Sequence, residues 1–397
     1  MIPQQWSILN VHCLFKNSMV SFTLAKEIFM KSSLEKPKGL SKDKILLIVT
    51  GCIVGIAAVL LTIFGNPGNM GFCIACFIRD ISGAVKLHNA GVVQYVRPEI
   101  IGLVLGAFVI SLVKGEFKPR GGSSPMLRFM IAFCVMVGAL VFLGCPLRMV
   151  LRLAAGDLNA LVALVGFACG IAIGCWFLNN GFSLGKAYPQ SALEGAALPA
   201  INVGLLILAV FGTSLLAYSE KGPGSMHAPI VLALACGLVV GIMAQRSRMC
   251  FAGGIRDIIL LKDWTLTLGF VAVFVSALVF NLIAGKFKLG FTGQPVAHAQ
   301  HFWNFIGMVV VGLGSVMLGG CPLRQLILAG EGNSDSGVAV LGFAVGAAFA
   351  HNFGLASSAA SADSLGGPGI NGKVAVFICL AFLLVVAGVK TFAKKEN

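Results

Sequence analysis

Four cysteines occupy the positions of this sequence where chemistry is most readily placed. The pentapeptide Gly-Cys-Pro-Leu-Arg stands at 144–148 and again, letter for letter, at 320–324, an offset of 176 positions. A second match sets GFCIACFIRDI at 71–81 against RMCFAGGIRDI at 248–258, which aligns Cys73 with Cys250 and Ile-Arg-Asp at 78–80 with Ile-Arg-Asp at 255–257. Proline is favoured at the first helical position, where its missing N–H costs nothing. Gly-Cys-Pro therefore reads as a broken helix restarting, with Cys145 or Cys321 at or beside the N-cap. Such a restart exposes unpaired N–H groups and the positive end of the helix dipole, which together favour an anion. Arg148 and Arg324, two residues past the proline, either add full positive charge or hold a neighbouring loop. A neutral buried thiol keeps a proton to donate, whereas a thiolate would repel an anion.

The elements that must position these residues are membrane helices. Hydrophobic residues make up 57% of the 397 and charged residues 11%, with a mean hydropathy of +0.93, a composition that excludes an ordinary soluble domain. Ten apolar runs approach the length that crosses a ~30 Å hydrocarbon core: 45–64, 98–113, 126–143, 160–178, 199–218, 228–244, 264–284, 303–319, 337–356 and 373–392. The fold class is all-α, a polytopic membrane protein of about ten transmembrane helices. The collinear matches make the chain an internal duplication, with repeats at 45–219 and 228–392 behind a cytoplasmic N-terminal segment, 1–44. Five crossings per half turn the second repeat upside down relative to the first, the arrangement that places a substrate site between repeats. The segments 71–88 and 248–262 are too short and too charged to cross and read as re-entrant half-helices, tolerated where protein or a water-filled cavity covers their backbone. The net charge of +14 is spread beside membrane segments, not gathered in a basic domain, so nucleic acid is excluded as a partner. Lysines before the first span and after the last place both termini in the cytoplasm. Residues 1–29 carry no clean cleavage site and are either a surface segment or an upstream start ahead of Met30.

Other residues have plainer readings. Cys52, Cys134, Cys169, Cys175, Cys236 and Cys379 lie in apolar spans without repeat partners and read as packing. Cys73 and Cys76 form a CxxC, yet Gly253 stands opposite Cys76 in the second repeat and no histidine or second CxxC completes a metal set; no metal or cofactor is expected. Arg79–Asp80 and Arg256–Asp257 read as structural or gating ion pairs that fix the half-helices, since an unpaired intramembrane charge is costly. His351 reads as structural hydrogen bonding. The run NNGFSLGKAYP at 179–189 lacks the phosphate-loop spacing.

The run MGFCIACFIRDI, both GCPLR motifs and RMCFAGGIRD resemble the YeeE/YedE family of membrane proteins associated with thiosulfate uptake, over about 45 to 392, and in particular its YedE branch linked to selenium metabolism. The resemblance implies an hourglass-shaped helical permease in a bacterial inner membrane. It also implies uptake of a small inorganic anion containing sulfur or selenium, thiosulfate or a selenium analogue, with no enzymatic activity. By motif, the cysteines that contact substrate sulfur through S–H···S hydrogen bonds fall on Cys73, Cys145, Cys250 and Cys321. A cytoplasmic sulfur- or selenium-carrier protein is a candidate partner. The rival reading is a membrane thiol–disulfide electron conduit using the Cys-Pro pairs; it requires two cysteines able to meet and oxidise.

Overall fold

The computed structural model describes residues 41–361 and 364–392. The expected N-terminal segment, 1–44, therefore lies almost wholly outside the described residues. The chain divides into a unit Met1–Ile45, of which 41–45 are described, and a compact unit Leu46–Asn397 that holds both repeats. Ten long helices and four short ones follow in order: α1 Lys42–Ile63, α2 Ile74–Ala84, α3 Pro98–Val113, α4 Pro125–Phe142, α5 Pro146–Ala154, α6 Asn159–Asn179, α7 Ala192–Phe211, then α8 Ile230–Ser247, α9 Phe251–Leu261, α10 Thr265–Ile283, α11 His301–Leu318, α12 Pro322–Gly330, α13 Ser334–Asn352 and α14 Ile370–Phe392. Seven helices thus recur in the same order of long and short. Two-residue strands, β1 Arg120–Gly121 and β2 Tyr188–Pro189, pair antiparallel on the loops.

Local sequence explains most of the helix ends. Proline opens α3, α4, α5 and α12, and Cys73, Ser191, Cys250 and Asn333 cap α2, α7, α9 and α13 through their side chains. By length and apolar composition eight helical stretches are able to cross a membrane, with α4–α5, α8–α9 and α11–α12 each counted as one stretch. α3 is a shorter apolar helix, and polar ends (Asp335, His351, Asn352) lower the hydropathy of α13. The run expected at 199–218 is displaced: the helix starts at Ala192, because Ser191 and Glu194 form a reciprocal capping box, and it stops at Gly212 before a short 3-10 turn.

Glycine sets how the repeats interlock. A Cβ on Gly51 would meet Ala272 and one on Gly55 would meet Ser276, so α1 and α10 run parallel in contact. The reciprocal pair is α3 with α8, where Gly237 meets Glu99 and Gly241 meets Leu103. Gly166 and Gly170 seat α6 on Phe305 and Val309 of α11, and Gly342 and Gly346 seat α13 on Phe129 and Phe133 of α4. Each helix thus packs on a partner from the other repeat, with backbones brought close by the missing side chains.

The central pair fixes the relation of the halves. Gly138 meets Val310, Gly307 meets Val141 and Gly314 meets Val135, so α4 and α11 run antiparallel. Since α4 and α11 are repeat counterparts, the second repeat is inverted relative to the first. The loops repeat the exchange: the N–H groups of Lys118 and Arg120 donate to the carbonyls of Glu331 and Gly332, while those of Lys288 and Gly290 donate to Ala155 and Gly156.

A Cβ on Gly170 would stand 2.2 Å from the Val309 carbonyl oxygen, whereas nothing lies within 4 Å of one on Gly204. Gly170→Ala should therefore lower the unfolding temperature in detergent, by about 1–3 kcal/mol of overpacking, while Gly204→Ala leaves it unchanged or raises it. Equal responses would contradict the interlocked packing.

Candidate functional site

The four repeated cysteines form two pairs, each at the start of a half-helix. Cys73 is the N-cap of α2, and its sulfur accepts the Cys76 N–H at 3.3 Å. The Cys145 sulfur does not cap its own helix α5; it accepts the Ile74 N–H of α2 at 3.3 Å. Two thiols thus share one helix N-terminus. In the second repeat Cys250 caps α9 by accepting the Gly253 N–H at 3.2 Å. The Cys321 sulfur stands 3.9 Å from that of Cys250. All four are buried and carry free thiols. The pairs sit toward opposite ends of the antiparallel α4–α11 pair. Cys145 follows the end of α4 where Val141 meets the His298 ring, and Cys321 follows the end of α11 where Leu318 meets Arg128.

The two arginines of the repeated pentapeptide differ. Arg148 is 0% exposed. Its Nε donates to the Asn69 carbonyl at 3.0 Å, one terminal nitrogen to the Leu143 carbonyl and to Cys76 Sγ at 3.3 Å, and the other to the Val296 carbonyl at 3.0 Å. Asn69, Leu143 and Val296 all have left-handed backbone, with φ of 57°, 63° and 48°, a conformation costly for a leucine or a β-branched valine. The guanidinium therefore holds together the turn before Cys73, the break before Cys145 and the loop before α11. No carboxylate pairs with it among the described residues. Arg324 instead reaches Glu331 at 3.1 Å and is 12% exposed. The break it follows has Gly319 at φ 81°, which suits that turn without a clamp.

Arg324 opens into a cavity of about 160 Å³ lined also by Lys118, Arg120 and Arg248 against Glu116 and Glu331. Hydrogen bonds from Gln245 and Arg246 hold the Glu116 carboxyl below its ordinary range, so it stays ionised at neutral pH and the lining keeps a positive excess of two charges (four cations against two anions). A second cavity, of about 230 Å³, is lined by Lys286, Lys288, Asn69, Gly71 and Leu151. Lys118 and Lys288 occupy equivalent loops before α4 and α11. Because those helices are antiparallel, the two cationic mouths lie at opposite ends of the bundle, the Lys288 mouth beside the Cys73–Cys145 pair and the Arg324 mouth beside Cys250–Cys321.

The half-helix charges are paired. Arg79 meets Asp80 at 2.7 Å, and Asp80 also binds Arg97 at 2.7 Å, all three buried; Arg256 meets Asp257 at 2.8 Å, more exposed. Several residues here carry no repeat signal and were not singled out in the sequence. They are Arg97, the buried Arg152–Asp157 pair at 2.7 Å, and Asn66 with Glu99 at 2.7 Å. Their one sequence mark is a polar side chain at the edge of an apolar run. His351 stacks on His88 with ring centroids 4.9 Å apart and its Nε2 has no hydrogen-bond partner among the described residues, so stacking stands where hydrogen bonding was expected. Cys134 of α4 and Cys379 of α14 are buried in the apolar core.

Residues 246–396 match the family model described as sulphur transport. The thiosulfate transporter TsuA of Spirochaeta thermophila is 35% identical over 114 residues, 29% of this chain and 34% of that protein. TsuA of Escherichia coli is 33% identical over 123 residues, 30% of this chain and 34% of that protein. The probable transporter YedE of Salmonella typhimurium is 26% identical over 255 residues, 59% of each. The chain thus spans about a third of the length of the two TsuA proteins in these matches. The matched segment contains Cys250, Arg256–Asp257 and the second pentapeptide, and the likeness to the YeeE/YedE family read from the repeated motifs stands.

Proposed function

We propose that the protein is a membrane permease for a small sulfur-containing oxyanion, thiosulfate or a selenium analogue, which passes along the two thiol pairs between the two cationic mouths. The observation that carries this reading is the buried Arg148 cation. It touches Cys76 and the turn that leads to Cys73, and among the described residues it has carbonyls and a thiol as partners but no carboxylate. An uncompensated buried charge is expensive and is retained where an anion can use its field. The thiols supply soft contacts for a terminal sulfur or selenium, and the half-helix N-termini favour its charge. The names of the TsuA relatives agree with this substrate class. With both termini cytoplasmic, as the lysine bias suggests, the anion enters at the Lys288 mouth, meets Cys73 and Cys145, and leaves past Cys250, Cys321 and Arg324. There a cytoplasmic carrier protein could take it. All four thiols are buried, so passage needs side chains to move. The electron-conduit reading has a thiol contact of the kind it requires, since the Cys250 and Cys321 sulfurs stand 3.9 Å apart; the permease reading is preferred because Cys73, Cys145 and Cys250 each accept a helix N–H, which suits a ligand station.

Three measurements test this reading. In cells relying on the protein for thiosulfate uptake, Cys145→Ala or Cys321→Ala should cut the rate about tenfold or more with membrane insertion intact. Every station of a narrow path needs a partner for the desolvated anion. Cys134→Ala and Cys379→Ala should stay near the parent, and sulfate should compete poorly; full activity of the first two variants together with failure of the controls would sink the thiol path.

Arg148→Ala leaves three left-handed turns without their shared donor and should cost about 3 kcal/mol or more, read as a lowered unfolding temperature in detergent. Arg324→Ala should leave that temperature near the parent while reducing uptake. If the two variants were equally stable, the clamp assigned to Arg148 would be wrong.

For orientation, reporter domains fused after Lys118 and after Asn397 should both signal the cytoplasm; opposite signals would reject the topology.

A further inference from the structure

Glu99, in the first turn of α3, lines neither cationic cavity and contacts neither thiol pair. It is 0% exposed. Its Oε1 accepts the Asn66 side-chain N–H at 2.7 Å, while Oε2 has no hydrogen-bond partner among the described residues. Asn66 is itself buried and joins three places: its amide nitrogen also donates to the Gly71 carbonyl at 3.1 Å, and its oxygen accepts the Ala228 N–H at 2.8 Å. Gly71 lies two residues before Cys73 and lines the Lys288 mouth. The carboxylate is therefore wired through one side chain to the turn that presents the first thiol pair.

The neighbouring charges do not neutralise it directly. Arg97 spends its donors on Asp80, Met226 and Pro223, and Asp80 already has Arg79 as well. Among the described residues the charged or titratable groups acting on Glu99 are Arg97 and Asp80, Tyr95, and Cys236 from α8. The buried set Arg79, Arg97, Asp80 and Glu99 sums to zero when Glu99 is ionised and to one positive charge when it is protonated. α10, the repeat counterpart of α3, has no acidic residue. The thiol pairs and mouths recur in both repeats; this carboxyl does not, so it belongs to something the symmetric path does not itself require.

We propose that Glu99 is a proton-binding site linked to the anion path, so that a proton on Glu99 and a divalent oxyanion at the Cys73–Cys145 pair each strengthen the other's binding. The inference rests on the permease reading above. A proton on Oε2 removes a buried charge whose second oxygen is unpartnered. It also leaves the buried set one charge more positive beside an α2 N-terminus that must receive a dianion. By linkage the effect is reciprocal: the anion's arrival draws in a proton, and the occupied site carries less net negative charge than it would with the anion alone.

The test uses the whole chain in detergent with radiolabelled thiosulfate, which is doubly ionised across the range used. Binding should tighten about fivefold or more from pH 8 to pH 6, and adding thiosulfate to the weakly buffered protein should take up protons. Glu99→Gln should bind equally at both pH values without proton uptake, and Glu99→Asp should restore both dependences. Binding that persists in the unmodified protein with no pH dependence and no proton uptake would overturn the inference and leave the permease reading standing, even if Glu99→Gln failed to fold. An unchanged pH dependence in a folded Glu99→Gln would also overturn it. Absence of thiosulfate binding at either pH would remove both.

Discussion

The rest of this structure depends on one buried guanidinium gathering three carbonyls. A half-helix that starts inside a membrane needs a sharp turn before it, and irregular backbone is tolerated there only when protein supplies its hydrogen bonds. Asn69, Leu143 and Val296 make those turns in left-handed backbone, and each aims its carbonyl at Arg148. One side chain thereby fixes the approach to α2, the break between α4 and α5, and the loop into α11. The exposed helix N–H groups then fall to sulfur: Cys73 and Cys145 accept from Cys76 and Ile74. A thiol is a weak acceptor, so these N–H groups remain available to a stronger one. A site satisfied by weak partners is one that a desolvated anion can occupy without first breaking strong hydrogen bonds.

The second repeat solves the same problem with different residues. Gly319 takes the left-handed break at the position of Leu143, which relieves the arginine of that duty. Arg324 is accordingly free to face the cavity and Glu331. Gly253 replaces Cys76, so the third thiol and its contact with the arginine exist in one repeat only. The inverted duplication thus preserves the thiol pair and the cationic loop at each end, while the arginine serves the backbone at one end and lines the mouth at the other.

Sequence reasoning reached the architecture because its signals are local or repeated. Pro146 and Pro322 announce the restarts by the chemistry of the missing N–H, and the exact recurrence of GCPLR marks Cys145 and Cys321 above the other cysteines. The glycines of α6 and α13 hint at close packing, but the partner of each comes from the other repeat and no local pattern names it. The Arg148 clamp was hidden for a different reason: leucine and valine do not advertise positive φ, so two of its three carbonyl acceptors look like ordinary apolar positions. Glu99 and Asn66 carry no such mark, because neither recurs in the second repeat. The start of α7 was misplaced since the apolar run is centred later than the Ser191–Glu194 cap that begins the helix.

Pairing thiols at two levels, and not at one, has a consequence for selectivity on the permease reading. A single soft contact contributes little free energy, so one station would discriminate weakly between an anion with a terminal sulfur and one with oxygen alone. Two successive stations apply the difference twice, while neither binds tightly enough to hold the ion. The cationic mouths attract any small anion and concentrate it without choosing. Choice therefore rests on the buried sulfur atoms, and speed rests on their weakness. On this reading the cavity-lining cations lie at the ends of the path, the buried half-helix charges are held in ion pairs, and Arg148, which among the described residues has no carboxylate partner, keeps its field for the anion.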